Sequence, residues 1–330
     1  MSVMIRYGLH KEITVAAQEI QESGQQSIAD HLDGDFAEFY KEENLQSALT
    51  VVLPAGYDAD AVQISEDLTG RRVQLVFENV EPDYFHMYPL IGSSVGVYDI
   101  IARAEDGKTA LDIYLDRFLA CREERQPGAI SLSFVNIREK YDKIVVLDAG
   151  AGGEESGAVY AGVKEKDINL DIVQRLKEKL EENDIAVLCT RIADQTISVQ
   201  RRIELANESD ADLFLGVQCS YDETDPFCNG ITTYYNETFF IPEFGNADLA
   251  YEVEERLIHM TGAAALGLQA GEDEMELLRY IMTPAACVKV GFLSNEKERG
   301  LLDEASYRDK IAEGLYQAVT SSLEQIGKQR

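Results

Sequence analysis

The stretch of sequence that decides the fold runs from Lys143 to Asp167 and reads KIVVLDAGAGGEESGAVYAGVKEKD. It begins with an apolar run, Ile144–Leu147, whose length is typical of a buried strand. Asp148 and a glycine-rich turn follow, and an amphipathic helix is expected to begin at Ile168–Leu170. A strand, a turn and a helix in this order place polar groups at the carboxyl end of a parallel strand, where α/β sheets usually bind ligands. The stretch therefore predicts an α/β domain with a site at this turn.

Strand-length apolar runs alternate with helical patterns from residue 141 to residue 330. The predicted strands are Ile144–Leu147, Ile185–Thr190, Leu213–Cys219, Gly230–Tyr235 and Ala286–Val290. The predicted helices are Leu170–Glu182, Ser198–Ser209, Asn246–Thr261, Glu296–Leu302 and Ser306–Gln325. This alternation predicts an α/β domain with a mostly parallel sheet and helices on both of its faces.

The first 140 residues follow a different pattern. Residues 1–47 are predicted to be a helical segment, with one or two helices within Glu12–Asn44. Residues 48–140 are predicted to form a smaller β-rich domain, a sandwich or a similar fold, which could serve in targeting or binding. Its expected strands are Ala48–Leu53, Ala61–Ile64, Arg72–Phe77, Val95–Ala104, Ala110–Phe118 and Ala129–Ile137.

Composition and charge exclude one class of function. The chain has 330 residues, enough for two domains with their own cores, and 45% of its residues are hydrophobic. Its 60 acidic and 30 basic residues give a formal charge of −30, which repels nucleic acids and anionic membrane surfaces. Nucleic-acid binding is excluded on this ground. The acidic excess indicates either a solvated surface or a surface for a basic partner protein.

The stretch that begins at Lys143 resembles the opening motif of the zinc-dependent N-acetylmuramoyl-L-alanine amidases of bacterial cell walls. The turn that reads DPGHGG in that family reads DAGAGG here, with Ala149 in place of the proline and Ala151 in place of a histidine. The acidic segment after the turn is kept from Glu165 onward. The resemblance implies the amidase fold for residues 141–330. It extends to Thr190–Arg191, the spacing from Ser198 to Arg202, Gly230–Tyr234, Gly291–Asn295 and Tyr307–Arg308.

The resemblance also implies a zinc site that has lost most of its residues. Active relatives hold zinc with two histidines and a glutamate, at the positions of Ala151, Gln218 and Glu165, and their catalytic glutamate occupies the position of Lys289. Only Glu165 is retained, and alanine and glutamine are not useful zinc ligands. Cys219 adjoins a lost ligand position, but neighbouring strand residues point to opposite faces, so it is expected to face away from the site unless a bulge turns it inward. Even then, Cys219 and Glu165 are only two ligands, too few for tight zinc binding. We therefore expect no zinc cofactor and no intact catalytic residue.

Six side chains are candidates for lining the remaining cleft: Asp148, Glu165, Arg191, Arg202, Gln218 and Lys289. Because a buried carboxylate without a partner is costly, we expect Lys289 to pair with Glu165 in place of the metal. Alternatively, Lys289 extends into solvent and Glu165 lies in an open cleft. The two arginines could meet ligand carboxylates or secure loops through backbone carbonyls.

Two functions from different classes remain open. The first is a catalytically inactive, amidase-like protein that acts as a binding or regulatory module in peptidoglycan metabolism. Its partner would be muropeptide or a cell-envelope protein. The second is an active N-acetylmuramoyl-L-alanine amidase that hydrolyses the amide between glycan and stem peptide through a relocated site. Such a site would need either a metal bound without histidine or a nucleophile, for example Cys219, with a base that the sequence does not identify.

Cysteine usage and terminal sequence bear on the compartment. The five cysteines are scattered without a C-x-x-C pair, which argues against a disulfide framework. No run approaches the roughly 18 apolar residues of a membrane helix, and the first residues lack the pattern of a signal peptide. No direct membrane insertion is expected. The expected location is the bacterial cell envelope if an anchor or signal precedes this sequence, and the cytoplasm otherwise.

Overall fold

The computed structural model of the protein describes residues 5–6, 48–271 and 276–328. The chain divides into two compact units, Met1–Lys140 and Tyr141–Arg330. The helices expected within Glu12–Asn44 lie outside the described residues. In the part of the chain that the structure describes, no helix combines the length and the apolar character needed to cross a membrane.

The first unit contains two antiparallel sheets. One sheet has the strand order β1-β6-β7-β4-β3 and the other β5-β2-β9-β8, with the bounds given below. Leu49 and Ile130 of the second sheet belong to the same buried cluster as Leu75 and Ile113 of the first, so the sheets pack face to face as the predicted sandwich. The strands are β1 (Ile5–Arg6), β2 (Leu49–Val52), β3 (Gln63–Asp67), β4 (Arg72–Glu78), β5 (Ile91–Gly92), β6 (Val97–Glu105), β7 (Lys108–Leu115), β8 (Leu119–Gln126) and β9 (Ala129–Asn136). The short helices are α1 (Asp83–Met87), α2 (Ile137–Lys140) and a 3₁₀ turn at Ala59–Ala61.

The second unit is an α/β domain built on a six-stranded sheet. Its strands are β10 (Ile144–Ala149), β11 (Val159–Tyr160), β12 (Val163–Lys164), β13 (Ala186–Cys189), β14 (Leu213–Ser220), β15 (Ile231–Tyr235), β16 (Ala265–Ala270) and β17 (Ala285–Phe292). Its helices are α3 (Glu165–Glu181), α4 (Val199–Glu208), α5 (Asn246–Thr261), α6 (Glu276–Tyr280), α7 (Glu296–Asp303) and α8 (Ala305–Gly327).

The sheet of the second unit is mostly parallel, as predicted. Its strand order is β13-β10-β14-β17-β15-β16, and β11 and β12 form a separate small hairpin. The first four strands in this order, which are β13, β10, β14 and β17, run parallel to one another. Strand β15 runs antiparallel to β17, and β16 runs parallel to β15 at the edge. The carboxyl ends of β10, β14 and β17 therefore meet at one edge of the sheet, which positions the candidate site.

Helices cover both faces of this sheet, which confirms the second part of the fold prediction. Helices α3, α5 and α8 pack on one face, where Ile172, Val253 and Leu315 join Leu215 of the sheet in one buried cluster. Helices α4 and α6 pack against each other on the opposite face. The long helix α8 contacts both α3 and α5, so it completes the larger core.

Helix α3 begins earlier than the sequence predicts. The expected start was Ile168–Leu170, whereas the structure places Glu165 in the first turn, after Lys164 in an extended conformation. Acidic side chains near a helix amino terminus are stabilised by the helix dipole, and both Glu165 and Asp167 lie in this turn. The earlier start brings Glu165 to the edge of the sheet, and this placement matters for the site.

Buried Asn246 fastens the start of α5 to two other segments, and its loss should destabilise the protein. The side chain is 4% exposed. Its amide donates to the carbonyls of Asn236 and Phe239, and its oxygen accepts from the amide of Ala285. Asn246→Ala leaves the buried carbonyl of Asn236 and the buried amide of Ala285 without this partner, so we expect a loss of about 2–4 kcal/mol in the free energy of unfolding, measured by urea denaturation.

Asn207→Ala is the matched control for this substitution. Asn207 also joins two segments, since it donates to the carbonyl of Tyr280 and accepts from the amide of Met282, but it is exposed. Water can replace its bonds, so the expected loss is below about 1 kcal/mol. Equal losses for the two variants would contradict the assignment of Asn246 as a buried fastening point.

Candidate functional site

The carboxyl end of β10 carries a buried carboxylate with its counterion. Asp148 is 1% exposed, and its Oδ1 accepts hydrogen bonds from Thr190 Oγ1 at 2.6 Å and from Nη1 of Arg202. Arg202 reaches this point from α4. The same guanidinium donates to the carbonyls of Ala149 and Ala151, each at 3.1 Å. The ion pair and the glycine-rich turn thus form one network.

Arg191 secures the same turn from the end of β13. The residue is 2% exposed. Its Nε donates to the carbonyl of Ala149 at 2.9 Å, and its Nη2 donates to those of Gly150 at 3.0 Å and Lys166 at 2.8 Å. Burial, followed by the charge of Arg202, lowers the pKa of Arg191. Of the two roles that the sequence left open for these arginines, the structure places them in the second, as groups that hold backbone carbonyls.

Glu165 uses both oxygens of its carboxylate within the protein. Oε2 accepts a hydrogen bond from the amide of Ala158 at 2.8 Å, and Oε1 accepts from the amide of Cys219 at 3.0 Å and from Asn169 Nδ2 at 3.4 Å. A Cβ added at Gly157, where φ is +63°, would lie 2.5 Å from Oε2, so the chain closes directly over the carboxylate. Glu165 therefore ties the loop before α3 to the end of β14.

Gln218 and Lys289 are neighbours on adjacent parallel strands. They are register partners between β14 and β17, so both side chains project from the same face of the sheet. The Lys289 ammonium lies 4.9 Å from the centre of the Tyr234 ring on β15.

The expected ion pair between Lys289 and Glu165 is wrong. In the described part of the chain, no carboxylate oxygen lies within 4.0 Å of the Lys289 ammonium. The physical reason is that three N–H groups already satisfy the Glu165 carboxylate, so it does not require a cation. The face of Tyr234 offers the ammonium a favourable alternative.

The remaining candidate ligands do not come together. Ala151 adopts a left-handed conformation with φ of +57° in the turn, and its methyl group has no donor atom. His259, the single histidine in the sequence from residue 141 to residue 330 and so the remaining imidazole to consider as a ligand, is exposed near the end of α5. Within residues 5–6, 48–271 and 276–328, no group of three or more His, Cys, Asp or Glu side chains could hold a metal ion.

Cys219 packs into the larger core and away from Gln218, as strand alternation predicts. It is 5% exposed and belongs to the buried cluster beneath α3 and α8. Its Sγ lies 3.6 Å from Asn169 Oδ1. Burial, followed by the negative charge of Glu165, raises the pKa of the Cys219 thiol well above its ordinary value.

Sequence reasoning missed two residues of this site, Asn169 and Tyr234. Asn169 follows Glu165 by four residues, so the two share a helix face, but this signal was lost when the helix was predicted to begin later. The contact of Tyr234 with Lys289 has no local signal. It depends on the antiparallel pairing of β15 with β17, which only the assembled sheet specifies.

One known protein family matches the α/β unit. The Amidase_3 model, described as N-acetylmuramoyl-L-alanine amidase, matches residues 145–321, which is more than half of the chain. The chain belongs to this amidase family. The match begins within β10 and ends within α8, so the family model spans the α/β unit that carries the site.

Individual relatives of this amidase-family chain are consistent with that assignment. N-acetylmuramoyl-L-alanine amidase LytC of Bacillus subtilis is 29% identical over 178 residues, which cover 54% of this chain but only 35% of LytC. The uncharacterized protein YqiI of the same organism is 28% identical over 184 residues, which cover 56% of this chain and 86% of YqiI. The chain thus spans about a third of LytC and most of YqiI.

Two solved structures show the same fold. An N-acetylmuramoyl-L-alanine amidase from Clostridium difficile 630 is 30% identical, with a TM-score of 0.51, and the match covers 55% of this chain and 97% of that one. The CwlD amidase from Clostridioides difficile, solved in complex with the GerS lipoprotein, is 27% identical, with a TM-score of 0.50 and coverage of 55% and 98%.

Replacing Arg202 should destabilise the protein strongly. Arg202→Met leaves the Asp148 carboxylate buried without its cation and removes donors from the turn. We expect a loss of about 3–5 kcal/mol in the free energy of unfolding, measured by urea denaturation.

The neighbouring Arg201 provides the control for this prediction. Arg201 pairs with Glu204 on the exposed side of α4, where the arginine side chain is 47% exposed. Arg201→Met should therefore cost below about 0.5 kcal/mol. A similar small cost for Arg202→Met would show that the buried pair does not hold the turn.

The cysteines should differ in reactivity according to burial. Cys228 is half-buried, whereas the other four are buried, and burial raises the pKa of the Cys121 thiol to about 12. In the native protein at pH 8, iodoacetamide should modify Cys228 first and Cys219 only after unfolding, as followed by peptide mass spectrometry. Rapid native modification of Cys219 would instead support a reactive thiol at the end of β14.

Proposed function

We propose that this chain has the amidase fold and acts as a binding or regulatory module in peptidoglycan metabolism. We propose further that it does not catalyse zinc-dependent hydrolysis. The family assignment supports the peptidoglycan part of this proposal. So do the names of LytC and of the structural relative from Clostridium difficile 630, both N-acetylmuramoyl-L-alanine amidases. The residues at the site support the proposed loss of hydrolysis.

The observation that carries the proposal is the engagement of Glu165. Each carboxylate oxygen has two lone pairs: Oε1 of Glu165 accepts from the amide of Cys219 and from Asn169, and Oε2 accepts from the amide of Ala158. This leaves one lone pair on Oε2 for a metal, and the side chains of Ala151 and Gln218 add no useful zinc ligand to it. Releasing the carboxylate would leave the amides of Ala158 and Cys219 without this acceptor. The one retained ligand position thus serves as a structural connection in this protein.

The other positions do not fit a zinc ion either. Ala151 supplies no donor atom, and Gln218 supplies only a neutral amide oxygen. Lys289 places an ammonium where active relatives have a glutamate, and an ammonium repels a dication and accepts no proton. Three of the four positions are therefore unsuited to the family's chemistry.

The proposed partner is muropeptide or a cell-envelope protein, and the proposed site of action is the cell envelope. The structural relative CwlD was solved with a lipoprotein, which supports a protein partner as one option. The carboxyl edge of the sheet, with Gln218 and Lys289, is the proposed binding face.

Metal analysis and a hydrolysis assay test this proposal. The purified chain, incubated with zinc and then desalted, should hold well below one zinc ion per molecule by elemental mass spectrometry. It should release no peptide from purified peptidoglycan, although it should sediment with the insoluble material. Stoichiometric zinc together with peptide release would overturn the proposal.

Two comparisons make this test specific. The amidase from Clostridium difficile 630, treated in the same way, controls for the zinc loading and the substrate. The variant Ala151→His, Gln218→His, Lys289→Glu restores the family residues at the three positions. Because it supplies two imidazole ligands and removes the cation, we expect it to retain more zinc than the natural chain.

A further inference from the structure

We propose that Gln218 and Lys289 together bind a carboxylate group of a peptide ligand. The inference rests on the proposed function, because it names the chemistry by which the binding face would recognise a muropeptide. It assigns a ligand group to two side chains that replace the family's zinc ligand and catalytic acid.

The first argument is that the charge of Lys289 is unmatched. Its ammonium has three N–H donors, and among the described residues it has no carboxylate within 4.0 Å and no hydrogen-bond acceptor. The Tyr234 ring, whose centre lies 4.9 Å from the ammonium, stabilises the charge. The face of the ring has no lone pair that could accept a hydrogen bond. The side chain is half-buried, so solvent reaches it only in part.

The second argument is that Gln218 presents further donors beside this charge. Its side-chain amide makes no hydrogen bond within the described part of the chain, and the residue is half-buried. Register partners on adjacent strands are about 5 Å apart, so the amide and the ammonium can approach the same small group. An amide NH₂ and an ammonium can each donate to one oxygen of a carboxylate.

The third argument excludes the neighbouring charged groups as competitors. Arg191 and Arg202 are buried and donate to carbonyls of the turn, so they do not offer free donors to a ligand. The Glu165 carboxylate is held by the amides of Ala158 and Cys219, and among the described residues no carboxylate oxygen, including those of Glu165, lies within 4.0 Å of the Lys289 ammonium.

The chemistry of the pair selects the class of ligand. A cationic ligand would be repelled by Lys289, and a neutral one would leave its charge unmatched. A phosphate-rich ligand carries several negative charges, so the net charge of −30 repels it more strongly than it repels a single carboxylate. A single carboxylate matches one cation and one neutral donor, and the carboxyl edge of a parallel sheet is where such folds hold ligands.

The test uses soluble muropeptides released from peptidoglycan by a glycosidase, in native form and after conversion of their carboxylates to amides with carbodiimide and ammonia. By titration calorimetry, the natural chain should bind the native form at least about tenfold more tightly than the amidated form. Lys289→Met should lose about tenfold in affinity for the native form and should bind the amidated form unchanged.

Two further variants keep the test specific. Lys297→Met removes an exposed lysine on α7 and should leave both affinities unchanged. Gln218→Glu places a carboxylate beside Lys289 and should abolish the preference for the native form, while the thermal unfolding midpoint shows that the fold is retained.

The outcomes separate this inference from the proposed function. Equal binding of the two forms by the natural chain, or no effect of Lys289→Met, overturns the carboxylate site and leaves a peptidoglycan-binding module intact. Failure to bind either form also overturns the site. Zinc-dependent hydrolysis would overturn the proposed function itself.

Discussion

The glycine-rich turn after β10 depends on two buried guanidinium groups. The carbonyls of residues 149–151 point into the protein, where they would lack partners if no side chain supplied donors. Arg191 and Arg202 supply these donors, and Asp148 balances one of the two positive charges. Because buried charges are tolerated only when they are paired and hydrogen-bonded, the arginines and the turn stabilise each other. This constraint sets the place of residue 151 and thus the shape of the edge where β14 and β17 end.

Much of the α/β unit could be predicted because its central strands are buried on both faces. Such strands are continuous apolar runs, as in Ile144–Leu147, and they need no knowledge of their neighbours. Among the strands longer than two residues, β8 and β16 were not predicted, for two different reasons. Strand β8 is largely charged and is held by its long pairing with β9. Strand β16 is a short, exposed edge strand that contains Gly267 with φ of +88°. Both are specified by their partners and not by their own composition.

In the candidate site, too, some features could be predicted from the local sequence and others depend on contacts between distant segments. Motif positions identified Ala151, Gln218 and Lys289 as the residues that differ from active relatives, and the structure places Gln218 and Lys289 side by side. The predicted contact between Lys289 and Glu165 is absent from the structure, because backbone amides hold the Glu165 carboxylate instead. Every residue except proline has such an amide, so no residue type indicates which carboxylate will be captured in this way.

Helix α8 has a consequence for how this domain is made in the cell. Its apolar side chains, among them Ile311 and Val319, complete the core that α3 and α5 share with the sheet. These residues leave the ribosome after every strand of the sheet has been synthesised. Until then the part of this apolar face that α8 covers is exposed in the nascent chain, and such exposed apolar surface favours aggregation. The larger core is therefore completed only when α8 has been synthesised.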